Sequence, residues 1–151
     1  MDAESSFFDI DFEEILLVAF VILLVMAMRI IPRLIARVPF VDPGEVKRML
    51  DAGEAEVVVD VRSVGDFNGK LGHIPGAVSL PFVDMGERLK ALGPEMERFK
   101  DEPIFVNCRT ENIAAHGARR LKKAGFTKVA VVKGGMRAWK RKGLPIERDE
   151  G

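Results

Sequence analysis

Apolar and polar positions divide the chain into two unlike stretches. From Ile15 to Met28 it reads ILLVAFVILLVMAM, 14 residues without a polar side chain. Ile30 and Ile31 continue the run past Arg29, which brings it to 17. Crossing a bilayer core takes roughly 20 residues, and an arginine near a helix end can snorkel to the headgroups. Hydrophobicity on all sides fits lipid contact better than one buried stripe. A cleaved signal peptide would need a basic start and a small-x-small site; the start here is acidic and no such site follows. The pattern predicts an acidic tail over 1–14, a spanning helix over 15–31 and a link over 32–41. Pro32 marks a membrane exit or a kink.

Beyond the link, short β-branched runs alternate with amphipathic segments. Asp42-Pro43-Gly44-Glu45 predicts a helix start, with Asp42 as cap, Pro43 in the first turn and Glu45 in a capping-box pattern. This helix runs to about Ala52 and stops at Gly53. Val57-Val58-Val59 predicts a buried strand ending at Asp60, and Val78-Ser79-Leu80 a shorter one. Asp84 to Leu92 reads as helix, Ile104-Phe105-Val106 as strand, Ala114 to Ala124 as helix and Val129 to Val132 as strand. Gly134-Gly135 turns into a last helix carrying Trp139, closed by Gly143-Leu144-Pro145. Strands alternating with helices predict a parallel α/β sheet with helices on both faces, over 42–148. Ligands in such sheets bind beyond the C-terminal strand ends, here Asp60 to Arg62 and Cys108 onward.

Charge adds an orientation. The 151 residues carry 23 bases and 23 acids, yet six acids and no base precede Arg29. The remaining 17 acids leave the rest of the chain at +6. Arg29, Arg33 and Arg37 follow the apolar run, so the positive-inside rule places the C-terminal domain in the cytoplasm and the N-terminus outside. A split of this kind concerns topology rather than nucleic acid, and no nucleic-acid partner is expected. Exposed bases such as Arg119, Arg120, Lys122, Lys123 and the cluster from Arg137 to Lys142 read as solvated helix faces. On a tethered domain they could also rest on anionic lipid.

The single cysteine excludes an intrachain disulfide and a cysteine-based metal cluster, and two histidines are too few for a histidine-rich metal site. Cys108 follows a predicted buried strand and precedes a loop and helix. Backbone N–H groups at a helix N-terminus attract anions and favour a thiolate. Arg109 could add positive charge, and a curled loop could aim several N–H donors at the sulfur. The plain alternative is a buried, inert cysteine at a strand end.

Several ordered motifs favour the first reading. Val58-Val59-Asp60-Val61-Arg62 resembles the hydrophobic-Asp-x-Arg strand end of the rhodanese family of sulfurtransferases. Asp66-Phe67 followed by Gly72-His73-Ile74-Pro75-Gly76-Ala77-Val78 resembles its GHIPGA signature. Ile104 to Arg109 resembles the strand entering its active-site loop. Gly125-Phe126, Val129, Lys133-Gly134-Gly135, Trp139 and Gly143-Leu144-Pro145-Ile146 match its closing segment. The resemblance implies a three-layer α/β sandwich around a five-stranded parallel sheet. It implies that Cys108 accepts a sulfane sulfur from a small donor and passes it to a thiol, on a small molecule or a protein, by covalent catalysis without a cofactor or metal. Backbone N–H groups of Arg109, Thr110, Glu111, Asn112, Ile113 and Ala114 would line the substrate and stabilise its anions. Asp60 and His73 would be structural supports, and Arg62 an ion-pair partner that could also meet an anionic donor.

Two positions depart from the family pattern. Glu111 stands where glycine is common, which predicts loop strain and a carboxylate unfavourable to thiosulfate. Ile113 replaces a residue that is often polar or basic. Both favour an alternative role as a catalytically weak docking or sensing module. A related cysteine phosphatase would need Cys-x5-Arg, and position 114 is alanine. His116 reads as solvent-facing, Trp139 as core, and Phe67 and Phe82 as core or pocket mouth.

Overall fold

The computed structural model describes residues 12–36, 38–55, 57–91 and 93–148. The acidic tail before Phe12, Arg37 and Leu92 lie outside the described residues. The chain divides into two units, Met1–Ile35 and Ala36–Gly151.

The first unit is helix α1 (Phe12–Ala36), 25 residues long, with Glu13 and Glu14 in its first turn, where acids complement the helix dipole. Its apolar side chains from Phe12 to Val25 are exposed all round, Leu23 at 66%. No helix among the described residues is long and apolar enough to cross a membrane. The uncharged run within α1 ends at Arg29. The helix continues through Pro32 to Ala36, so the expected link over 32–41 is not a link throughout.

Its other end is also structured. Phe40–Val41 form strand β1, which pairs in parallel with β5 (Val129–Val132) through Phe40↔Val131 and Val41↔Val132. Val131 N donates to Pro39 O at 2.8 Å and Lys133 N to Val41 O at 2.8 Å. Pro39 lacks an N–H, which an edge strand tolerates.

The remaining strands are β2 (Val57–Asp60), β3 (Val78–Ser79) and β4 (Ile104–Asn107). All five are parallel, in the order β1-β5-β4-β2-β3. The central strands are apolar on both faces because helices cover both. On one face Ala114, Ala115, Ala118 and Leu121 of α6 (Asn112–Lys123) and Met85 of α4 (Met85–Ala91) pack on Val59, Val106 and Val131. Close approach of α6 rests on Gly117, where a Cβ would meet Val61 Cγ1 at 3.0 Å. On the other face Val46 of α2 (Pro43–Asp51) and Met136 and Trp139 of α7 (Gly135–Arg141) pack on Val58, Phe105 and Val132. Trp139 is fully buried, as expected, and its indole N–H reaches Pro145 O at 2.7 Å.

Asp42 caps α2 by accepting from Gly44 N at 2.9 Å, with Pro43 in the first turn. Glu45 instead pairs with Arg48 at 2.8 Å. Two short helices follow from local capping and turns rather than from amphipathic pattern: α3 (Val64–Phe67), capped by Ser63, and α5 (Gly93–Met96), which runs into a 3-10 turn at Glu97–Phe99. Helix α6 begins at Asn112, two residues earlier than its apolar periodicity predicts. Parallel pairing places the C-terminal ends of β2 and β4 side by side, with Asp60 opposite Asn107.

Candidate active site

Cys108 is the first residue beyond β4 and is 7% exposed. The loop after it holds only Arg109, Thr110 and Glu111; Asn112, Ile113 and Ala114 form the first turn of α6. Asn112 and Ile113 are exposed there, and Ala114 is buried. Thus three of the six residues expected as loop donors belong to a helix. A Cys-x5-Arg phosphatase loop has no counterpart, since the buried Ala114 methyl packs in the core.

The loop is gripped from the other side of the sheet. Met136 N donates to Cys108 O at 2.8 Å and Arg137 N to Arg109 O at 3.2 Å. These N–H groups lie in the first turn of α7, where they have no partner inside the helix. Gly135 makes the approach possible: its φ is +59°, and a Cβ there would lie 2.4 Å from Cys108 O. With its carbonyls turned toward α7, the loop turns N–H groups toward the sulfur. Those of Arg109 and Thr110 favour the Cys108 thiolate.

Nevertheless the Cys108 pKa is pushed up. Burial, which disfavours the thiolate, is the largest cause; the Arg109 N–H opposes it, Asp60 adds to it, and the Thr110 N–H and Arg62 oppose it. The expected depression by the helix N-terminus is therefore overturned, because desolvation of the charged form outweighs the donors.

Glu111 corrects a second expectation. Its φ and ψ are −87° and −13°, ordinary helical values without strain. Its carboxylate accepts from Gly134 N at 2.9 Å and so ties the loop to the turn before α7.

Below the loop, Arg62 and Asp60 form a buried ion pair at 2.7 Å, with side-chain exposures of 2% and 0%. Arg62 Nη1 also donates to Asp66 O at 3.0 Å and Nη2 to Gly72 O at 2.7 Å. Asn107 Nδ2 donates to Asp60 at 3.2 Å. The guanidinium thus ties β2 to α3 and to the first residue of the GHIPGA segment, besides the ion-pair role expected of it. His73 is buried, stacks on Phe67 at 3.7 Å and places Nδ1 3.2 Å from Phe67 O. Phe67 is core through that stack. Phe82 lies under the Arg120 guanidinium at 3.8 Å and beside exposed His116.

At the rim, Arg109 Nη2 pairs with Asp66 Oδ1 at 2.7 Å. The hydrogen bond from Arg109 is the chief cause of a depressed Asp66 pKa. Asp66 and the gripping role of Gly134 and Gly135 were not apparent as site features in the sequence. The Ser63-x-x-Asp66 capping spacing and the paired glycines were the available signals. No group of residues able to hold a metal occurs among the described residues.

A strand ending in one cysteine, a short donor loop and a helix, within a five-stranded parallel α/β sandwich, define a rhodanese-type sulfurtransferase fold. The Rhodanese-like domain family model matches residues 42–142, and the chain belongs to that family. It is 34% identical over 116 residues to the uncharacterized protein YibN of Escherichia coli, covering 76% of each chain. The solution structure of the rhodanese-like domain of Alr3790 from Anabaena sp. is 32% identical, with a TM-score of 0.62 over 73% of this chain and 79% of that one. Thiosulfate sulfurtransferase from Pseudomonas aeruginosa is 27% identical, with a TM-score of 0.62 over 75% of this chain and 21% of that chain.

Proposed function

We propose that the protein is a membrane-anchored sulfurtransferase or persulfide carrier. Cys108 attacks the sulfane sulfur of a small donor, holds it as a persulfide and passes it to a thiol or other nucleophile, including a thiol on a protein. The observation that carries this reading is the placement of Cys108 directly after β4, with Cys108 O and Arg109 O held by α7 and with the Arg109 and Thr110 N–H groups favouring its thiolate. Donors already in place stabilise the anion on either side of each displacement. Splitting one transfer into two lets the same sulfur act as acceptor and then as donor, without a cofactor.

Support for the anchor is the apolar surface of α1, together with acids before its uncharged run and arginines after that run. Arg29, Arg33 and Arg37 favour a cytoplasmic domain and an outside N-terminus. A C-terminal reporter fusion tests this: cytoplasmic activity in the membrane fraction is expected. An extracytoplasmic reporter, or a protein washed from membranes by alkali, overturns it.

The test of chemistry is the intact mass of the full-length protein in detergent after incubation with a persulfide. Gain of one sulfur atom, absent in Cys108→Ser and removed by a thiol, is expected. The raised pKa sets the pH profile. Because the thiolate is the nucleophile, alkylation of Cys108 by iodoacetamide should climb in the alkaline range, with its midpoint above that of a free cysteine. A midpoint below that value would show that the donors outweigh burial.

Burial of Cys108 favours one second reading, a docking or sensing module with little turnover. Absence of any sulfur adduct in a folded protein would select it.

A further inference from the structure

Two Arg–Asp pairs flank Cys108, and each matches a cation to a carboxylate: Arg62 with Asp60 at 2.7 Å, and Arg109 with Asp66 at 2.7 Å. The first is buried and acts as a brace. The second stands at the rim, its side chains 51% and 43% exposed. Arg109 directly follows the nucleophile in the chain, and its half-exposed guanidinium is a cation at the rim that an anionic donor can reach. Resting on the sulfurtransferase reading above, we propose that Asp66 is a positioning residue that sets donor specificity. By holding the Arg109 guanidinium in the rim ion pair, it turns the site away from dianionic donors such as thiosulfate and toward persulfides of small thiols.

Asp66 is fixed for this task by its own surroundings. Its N–H donates to Ser63 Oγ at 3.1 Å, the Ser63 hydroxyl donates back to Oδ2 at 3.2 Å, and its carbonyl accepts from Arg62 Nη1 at 3.0 Å. The carboxylate that meets Arg109 is therefore held through backbone contacts that an isosteric amide would keep. A donor that draws the Arg109 guanidinium away from Asp66 must displace a charge-assisted hydrogen bond.

The difference between donors lies in charge. With a persulfide, the Cys108 thiolate forms a bond to the outer sulfur of R–S–SH, the S–S bond breaks, and its electron pair leaves on RS−, which takes up a proton from solvent. With thiosulfate the same displacement expels sulfite, and a thiolate must approach a dianion. That approach gains most from an uncommitted guanidinium. No net oxidation occurs in either case.

The experiment measures kcat and KM of the full-length protein in detergent for thiosulfate and for cysteine persulfide, with one thiol acceptor. Wild type is expected to prefer the persulfide. Asp66→Asn is expected to lower KM for thiosulfate about threefold, the modest worth of an exposed ion pair, with kcat little changed. That gain should shrink at high ionic strength and vanish when Arg109→Gln is added. An unchanged thiosulfate KM in Asp66→Asn overturns the inference, as does a gain that survives Arg109→Gln. Either result leaves the sulfurtransferase reading standing if Cys108 still loads from the persulfide. Failure of Cys108 to load from any donor overturns that reading and this inference with it.

Discussion

The two Arg–Asp pairs beside Cys108 have the same 2.7 Å separation and opposite character. Arg62 and Asp60 are sealed under the loop, and their remaining hydrogen-bonding capacity is met by Asp66 O, Gly72 O and Asn107. Arg109 and Asp66 share the same chemistry in the solvent at the rim. Distance alone does not distinguish a brace from a device that can open; desolvation does. A buried pair that loses one member strands a charge, whereas water and salt replace much of an exposed pair. The site thus combines a rigid floor with an adjustable rim.

The sharpest test of that contrast removes a cation from each pair. Arg62→Ala leaves Asp60 buried without its counter-ion and should destabilise the fold by about 3–5 kcal/mol, read by urea unfolding of the detergent-solubilised protein. Arg62→Lys keeps the charge but loses the fork that reaches Asp60 and two carbonyls, and should fall between Ala and wild type. A loss under about 1 kcal/mol for Arg62→Ala would abolish the distinction between the pairs.

A smaller effect is expected at the third support of the loop, the turn into α7. Gly135→Ala must adopt a left-handed φ and place its methyl against the Cys108 carbonyl. A cost of about 2–3 kcal/mol combines backbone strain with the contact. It should be accompanied by slower sulfur loading, since the loop must shift. Gly53 is a control: its φ is +67°, yet nothing lies within 4 Å of an added Cβ. Gly53→Ala should therefore cost only the strain, about 1–2 kcal/mol, and leave loading intact.

These elements differ in how far they could be read from sequence. Strands β2, β4 and β5 were legible because uninterrupted β-branched runs suit strands buried on both faces. Helix α2 was legible from its cap at Asp42. Strand β1 was not, because its two residues carry no periodicity and its partner β5 lies some 90 positions away. The same limit governs the site. Cys108 stands out as the only cysteine at a strand end, but its pKa direction depends on tertiary burial, which the local helix-terminus argument omits. The strain expected at Glu111 falls instead on Gly134 and Gly135, with φ of 72° and 59°. Glycine tolerates that region, so the loop is shaped from α7 rather than from within.

The smallest expected effect completes the comparison. Asp66→Asn should change stability by less than about 1 kcal/mol, because the pair it breaks is half in solvent and screened by salt. The sign of its pH dependence follows from the depressed Asp66 pKa. Such a carboxylate stabilises the fold above its unfolded pKa, and that contribution is lost as pH falls through the lower folded value. Wild type and Asp66→Asn should therefore differ slightly at neutral pH and converge on acidification below the usual carboxylate range, as measured by paired urea midpoints. If the gap instead matched that of Arg62→Ala, Asp66 would be part of the floor. The rim could not then release Arg109 without unfolding the site, and an adjustable donor preference would have no physical basis.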